Sequence, residues 1–290
     1  MKNRLISLVV LLVVLVVGGW YVVSGKTKSP EERVRIAFIN LIKAENGHIK
    51  SEISLQLGEN SQATFQEVKV ATDGDFQKGK DGALELATTL DILGQTTGAS
   101  LSGKGEIRLV GGKIFYRIDE LPPIYPDAQK IIGRWIGGAS NVNIISDVLR
   151  GSIAKALQEQ KIFSEANRVG SEKINGVGTT HIRVKLSSVG YAAFLAELTK
   201  QSGDSTPINK EQIEKNISQL EGSPLDIWVD SSDNLRKISV VNTNTGNGNV
   251  TNVSIYFSKL EGKLKIEAPQ DVLQATVPVA SSSPNNSVNK

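Results

Sequence analysis

The sequence predicts an α+β protein: a large, strongly curved antiparallel β-sheet with helices covering its concave face, preceded by one N-terminal transmembrane helix. Three observations predict it. Residues 5–23 form an unbroken run of Leu, Ile, Val, Ser, Gly, Trp and Tyr without a charge. From His48 onward, blocks of apolar–polar alternation follow one another across short turn signals. Helical periodicity is confined to separate blocks, which sets helices against a sheet rather than between parallel strands.

The apolar run comes first. At a rise of about 1.5 Å per residue it spans roughly 28 Å, close to the hydrocarbon thickness of a bilayer. Trp20 and Tyr21 stand at its distal end, where amphipathic rings favour the headgroup level. Lys2 and Arg4 precede it, and Lys26 and Lys28 follow. The expectation is a signal anchor over residues 1–25, with Leu5, Leu12 and Val17 in the bilayer. The body is then extracytoplasmic, on a single-pass protein of the cell membrane. A cleaved secretory peptide is the competing reading, with Val23 and Gly25 before the cut; it would leave the body secreted. The run is longer than the usual signal core, which favours retention. So pure a β-branched run argues against a buried core helix.

Ser29-Pro30-Glu31-Glu32 is a capping box with proline at the first helical position. Val34, Ala37, Phe38, Leu41 and Ile42 recur at helical spacing, and Asn46-Gly47 is the expected stop. The period then becomes two. Ile49, Ile53, Leu55 and Leu57 alternate with Lys50, Glu52, Ser54 and Gln56, and Val68 and Val70 behave alike. Leu84, Leu86, Leu90 and Ile92 alternate with Glu85, Ala87, Thr89 and Asp91. Leu101, Ile107 and Leu109 lead into Gly111-Gly112, a two-residue hairpin turn of the primed type. Residues 113–119 return with Ile114, Phe115 and Tyr116.

Leu121-Pro122-Pro123 breaks the sheet, and a helix is expected over about 145–161 with Val148, Leu149, Ile153, Ala156 and Leu157 on one side. Asn175-Gly176, a strong hairpin signal, joins strands near 165–173 and 177–186. One helix runs from Ser188 through Tyr191, Phe194, Leu195 and Leu198. Another is capped by Thr206 and Pro207 and carries Ile208, Ile213, Ile217 and Leu220. Strands at 225–230, 235–242, 250–257 and 263–268 complete the sheet. Some ten strands must twist and curl. Gly74, Gly103 and Gly105, inside strand patterns, mark bends or bulges.

No composition break divides residues 30–275, so one domain is expected over 29–275, followed by a disordered tail at 276–290 rich in Ser, Asn and Pro. The 290 residues carry 33 Lys and Arg against 30 acids. Lys2 and Arg4 precede the apolar run, which leaves the body almost neutral. That excludes the uniform basic field of non-specific nucleic-acid binders, so no nucleic acid is expected as a partner. The absence of cysteine excludes disulfides, zinc–thiolate sites, iron–sulfur clusters, cysteine nucleophiles and a lipid-modified cysteine.

Behind the post-anchor helix stand IRLVGGKIFYRI at 107–118, LPPIYPDAQKIIGRWI at 121–136, EKINGVGTTHIRVKL at 172–186, LDIWVDSSDNLRKISV at 225–240 and LKIEAP at 264–269. In this order, over most of residues 30–270, the chain resembles the LolA-like half-barrel superfamily. That superfamily includes periplasmic lipoprotein carriers and LppX/LprG-type envelope lipoproteins. The resemblance implies a strongly curved antiparallel half-barrel that encloses helices and holds lipid or acyl chains in the apolar space between. This chain departs from the pattern in having neither a clear cleavage site nor any cysteine. A tethered binder is favoured over a freely diffusing carrier.

Motifs for chemistry are sparse. His48 and His181 show no metal-ligand spacing and read as surface histidines, and no metal or cofactor is expected. No G-x-S-x-G elbow accompanies them. Gly98 to Gly105 resembles part of a phosphate loop, but Gly105 stands where Ser or Thr must ligand magnesium; it reads as a turn opening a strand. Asp73, Asp75, Asp226, Asp230 and Asp233 fit no calcium loop and read as solvated turn acids. Asn216, Asn249, Asn252 and Asn285 lie in N-x-[ST] contexts. Without a nucleophile–base pair or metal set, an enzyme is not expected.

The expected site is an apolar groove lined by Leu84, Leu86, Leu90, Ile107 and Leu109 with Tyr116, Trp135, Tyr191, Phe194 and Trp228. Each aromatic alone is equally compatible with ordinary core. A half-barrel too wide for its own side chains would leave such a groove. The expected function is a membrane-tethered extracytoplasmic binding protein for a lipid or other apolar ligand. The alternative is an envelope sensing or interaction protein whose half-barrel is filled and whose partner is a protein. A continuous apolar groove favours the first, and a packed interior the second.

Overall fold

The structure, a computed structural model, describes residues 28–57, 66–79, 82–96, 98–122, 126–137, 147–202, 224–244, 249–259 and 265–274. The expected anchor at 1–25, the helix capped by Thr206 and the tail at 276–290 lie outside the described residues. Among the described residues no helix is long and apolar enough to cross a membrane.

Helix α1 (Pro30–Ile42) starts where the capping chemistry puts it, with the Ser29 hydroxyl accepting from the Glu32 amide at 3.2 Å. Its end departs from expectation. Lys43 closes the helix in a right-handed conformation, and Asn46-Gly47 instead opens β1 (Asn46–Gln56). Strand pairing takes these residues, with Asn46 opposite Gln77 and Gly47 opposite Phe76. A Cβ on Gly47 would lie 2.6 Å from the Phe76 ring, so the glycine serves close approach.

The meander continues through β2 (Glu67–Lys78), β3 (Leu84–Gln95), β4 (Ser100–Val110) and β5 (Lys113–Glu120). A 3₁₀ turn (Pro126–Ile131) and a short strand β6 (Trp135–Gly137), unanticipated from sequence, lead toward α2 (Asp147–Glu159). Then come β7 (Phe163–Ile174), β8 (Val177–Leu186), α3 (Ser188–Ser202), β9 (Leu225–Asp230), β10 (Leu235–Asn244), β11 (Asn249–Ser258) and β12 (Leu273–Gln274). The strand expected at 263–268 is not formed in its described part: residues 265–269 run outside the sheet, with Ile266 tucked in at 7% exposure.

The twelve strands among the described residues form one open sheet in the order β12-β6-β5-β4-β3-β2-β1-β11-β10-β9-β8-β7. Every described pairing is antiparallel except β12 with β6. The β1–β11 ladder joins the N-terminal meander to the C-terminal one. Gly111-Gly112 and Asn175-Gly176 both hold positive φ at their two residues, as a primed hairpin turn requires. Gly105 sits at a register shift between β4 and β5. The ladders run through Gly74 without a register shift; a Cβ there would lie 2.3 Å from the Ala87 carbonyl oxygen across the ladder, so its role is again close approach.

The register sorts the sheet into two faces. On one, Ile182, Ile227, Ile238, Val253 and Ile255 line up across β8–β11, each no more than 5% exposed. The helices cover this face chiefly over β7–β10. Val34, Ala37, Phe38 and Ile42 of α1 are fully buried there, and Phe38 stacks on Phe163 at 6.2 Å. Ile153, Ala156 and Leu157 of α2 and Phe194 of α3 close the layer.

Turn acids lock α1 down. Asp233 accepts from Lys28 Nζ at 2.6 Å and Arg33 Nε at 2.8 Å, while its carbonyl takes Asn40 Nδ2 at 2.7 Å. Arg33 also donates to Thr180 Oγ1 and the Asp230 carbonyl. The Asp230 carboxylate accepts from the Ser232 and Asn234 amides and from Arg236. At 4% and 6% exposure, Asp230 and Asp233 are therefore buried clamps and not the solvated acids expected. Nothing local to the turn reveals partners some two hundred residues upstream.

Candidate functional site

The apolar face does not stop where the helices do. Its register runs on through β1–β5: Ile53, Val70, Ile92 and Gly103 form one row. Thr72, Leu90, Gly105 and Ile118 form the next, and Thr88, Ile107 and Tyr116 another. Leu86, Leu109 and Ile114 form a further row. Leu84 and Leu86 pack against the edge of the helix-covered core. Leu109 is buried, and Leu90 and Ile107 are half-buried. Ile92 at 41% and Tyr116 at 38% are partly exposed to solvent.

Glycine shapes this surface. Gly103 and Gly105 face it without side chains, between Leu90 and Ile92 of β3 and Ile118 of β5. The result is an apolar strip with a trough in its row of side chains, where two positions present only backbone. Leu84, Leu86, Leu90, Ile107, Leu109 and Tyr116, expected as lining residues, are brought together here. Ile92 and Ile118 join them; the two-residue period on β3 carried the signal for Ile92.

The remaining aromatics lie elsewhere. Trp135 is on the opposite face, between the guanidinium groups of Arg108 at 4.8 Å and Arg117 at 4.9 Å. Trp228 is also on that polar face, stacked on His181 at 4.4 Å with Lys237 Nζ at 4.6 Å. Its indole N–H donates to Glu172. Rings can be buried on a polar face by cations and flat partners. Tyr191 and Phe194 belong to the helical core, with centroids 5.9 Å apart and 7% and 1% exposed. Burial pushes the Tyr191 hydroxyl well above its ordinary pKa.

His181 is not the surface histidine expected. Its side chain is 14% exposed, held by Trp228 and by Asp226 at 2.7 Å from Nε2. Burial alone would raise the Asp226 pKa; hydrogen bonds from Arg183 and His181 outweigh it and hold the carboxyl below its usual range. His48 is more exposed and bonds Asp75 at 2.8 Å. Elsewhere on this face Glu106 pairs with Arg108 and Arg117, and Glu165 with Lys185. The sheet thus has one greasy side and one charged side.

A cleft of about 780 Å³ lies at the start of α1, lined by Lys28, Arg33, Glu172, Lys173, Thr179 and Asp233 among others. Its named lining is polar, and Lys28 and Arg33 in it are already engaged by Asp233, so it does not provide the apolar groove. Among the described residues, no group of three or more His, Asp or Glu side chains gathers as metal ligands.

No family model matches the sequence, and no curated protein does. Among solved structures the chain is similar to LprF from Mycobacterium bovis at 12% identity and a TM-score of 0.35, over 76% of this chain and 89% of the other. It is similar to the lipoprotein LppX of Mycobacterium tuberculosis at 13% and 0.40, over 83% and 100%. The MucA/MucB complex of Pseudomonas aeruginosa matches at 11% and 0.30, over 85% of this chain and 61% of that one.

Proposed function

We propose that the chain binds a lipid or other apolar ligand on the apolar face of β3–β5, as an extracytoplasmic protein tethered to the cell membrane. Residues 29–275 are the binding domain, residues 1–25 the anchor and 276–290 a tail. In this reading the open sheet curls into a half-barrel with the helices in its concavity. The observation that carries the proposal is the half-covered apolar trough, with Ile92 and Tyr116 standing out of it. Soluble domains seldom leave so long an apolar row in water without an occupant.

A buried methylene contributes about 0.8 kcal/mol, so ten of them give on the order of 8 kcal/mol when enclosed and roughly half that on one face, before binding costs. Native mass spectrometry after mild extraction should show co-purifying lipid, and a photoactivatable fatty acid should label peptides within residues 84–118. A clean apo mass with no labelling there would reject the proposal. The filled β7–β11 half, with its fully buried helix–sheet core, favours the second reading, in which the outer face meets an envelope protein. That reading requires the trough to be closed by the chain itself, and the same labelling experiment separates the two.

A further inference from the structure

The seam between the helix-covered and open parts of the apolar face holds an unusual cation. Asp147 opens α2 directly over the β2–β3 turn: Lys78 Nζ lies 2.8 Å from its Oδ2, and a Cβ on Gly82 would come within 2.5 Å of the same oxygen. One helical turn further in, Arg150 Nη2 bonds the other Asp147 oxygen. Arg150 is only 6% exposed, yet its Nη1 is buried with no hydrogen-bond partner among the described residues.

Two cations thus share a single carboxylate, and their hydrogen bonds hold that carboxyl below its usual range. A buried guanidinium N–H without an acceptor costs stability, and such groups are rare in folded proteins. Leu84 follows the same turn by two residues and opens the apolar row toward Leu86 and Leu90. Lys78 pairs with Leu84 across the β2–β3 ladder, so this under-satisfied cationic pair lies at the turn end of the apolar row.

The geometry points to a ligand with one apolar tail and an anionic head, the tail along Leu84, Leu86 and Leu90 and the head on Arg150 Nη1 with Lys78 nearby. This assignment rests on the proposed binding function and narrows it from apolar ligands in general to anionic amphiphiles, headed by a carboxylate or phosphate. Neutral lipids of equal tail length leave Nη1 unpaired and bind more weakly. A charge-assisted hydrogen bond corresponds to roughly a ten- to hundredfold preference.

The test uses the full chain in nanodiscs, labelled by a diazirine analogue of palmitate and read by peptide mapping over residues 84–118. Unlabelled palmitate, hexadecyl phosphate and methyl palmitate compete. The two anions should displace the label at about a tenth or less of the ester concentration. In Arg150→Gln that preference should collapse several-fold, with ester competition unchanged, and Arg150→Lys should keep part of it. Equal competition by acid and ester in the wild type, or an undiminished preference in a folded Arg150→Gln, overturns the assignment and leaves apolar binding standing. No labelling of these peptides removes both. Displacement by acetate or inorganic phosphate alone at equal concentration would show a small-anion site and also overturn it. Should Arg150→Gln fail to fold, the wild-type preference and Arg150→Lys decide.

Discussion

Ile92 and Ile238 face the same side of one sheet but have opposite surroundings, and truncating each to alanine measures whether the trough is open. Ile238 is 1% exposed beneath the helices, and Ile92 is 41% exposed on β3. Full burial of such a side chain is worth about 1.5–3 kcal/mol, and deleting it from a rigid core adds a cavity penalty. Ile238→Ala should therefore cost about 3–4 kcal/mol. At Ile92 only part of the side chain leaves a buried environment, and water fills the space, so the loss is about 1 kcal/mol including the poorer strand propensity of alanine. The difference of at least about 2 kcal/mol is read from urea unfolding followed by circular dichroism, with equal slopes checked in both variants. Added palmitate should raise the wild-type midpoint and raise Ile92→Ala less, because the ligand stabilises by mass action and loses contact in the variant. Equal costs at the two positions would mean that something covers Ile92 as tightly as the helices cover Ile238. The trough would then be closed, and the binding proposal would go with it.

Other outcomes follow from the same geometry. Asp233→Asn strips the charge that holds Lys28 and Arg33 at 2.6 and 2.8 Å, while tolerating the positive φ of 56°; unfolding in urea should show a loss of about 2–4 kcal/mol. Ile107→Arg places a cation on the half-buried floor of the face and should abolish fatty-acid labelling of residues 84–118 in a variant whose circular dichroism is unchanged. Burial alone would raise the Asp230 pKa, but hydrogen bonds from Asn234 and Arg236 dominate and depress it. Its contribution is thus complete above the unfolded value near ~3.9 and is lost as pH falls through the lower folded value. Between about pH 5 and pH 2 the wild type should lose stability more steeply than Asp230→Asn, and parallel urea midpoints would refute the clamp.

Much of the fold is legible in short stretches. Ser29-Pro30 starts α1, Gly111-Gly112 and Asn175-Gly176 turn their hairpins, and alternation places β1–β5 and β7–β11 within a few residues, because capping and turn geometry depend on neighbours along the chain. Parity also held information about the tryptophans: in residues 225–230 Trp228 shares its side with Asp226 and Asp230, the charged side of the sheet. An aromatic residue is not by itself a marker of the greasy face. Asn46-Gly47 shows the limit of local chemistry, since a helix stop and a strand start look alike until Gln77 and Phe76 arrive as partners.

What the amino-acid order determined alone was the uncharged N-terminal run, most strand and turn positions, and the set of apolar residues that could share a side. Only the tertiary structure decided that β1 pairs with β11, that the helices settle over β7–β10, and that Arg150 meets Lys78 across Asp147. The reason is physical. Side-chain period is a property of one strand, whereas cover and charge pairing are settled by which distant segments gain most from burying one another.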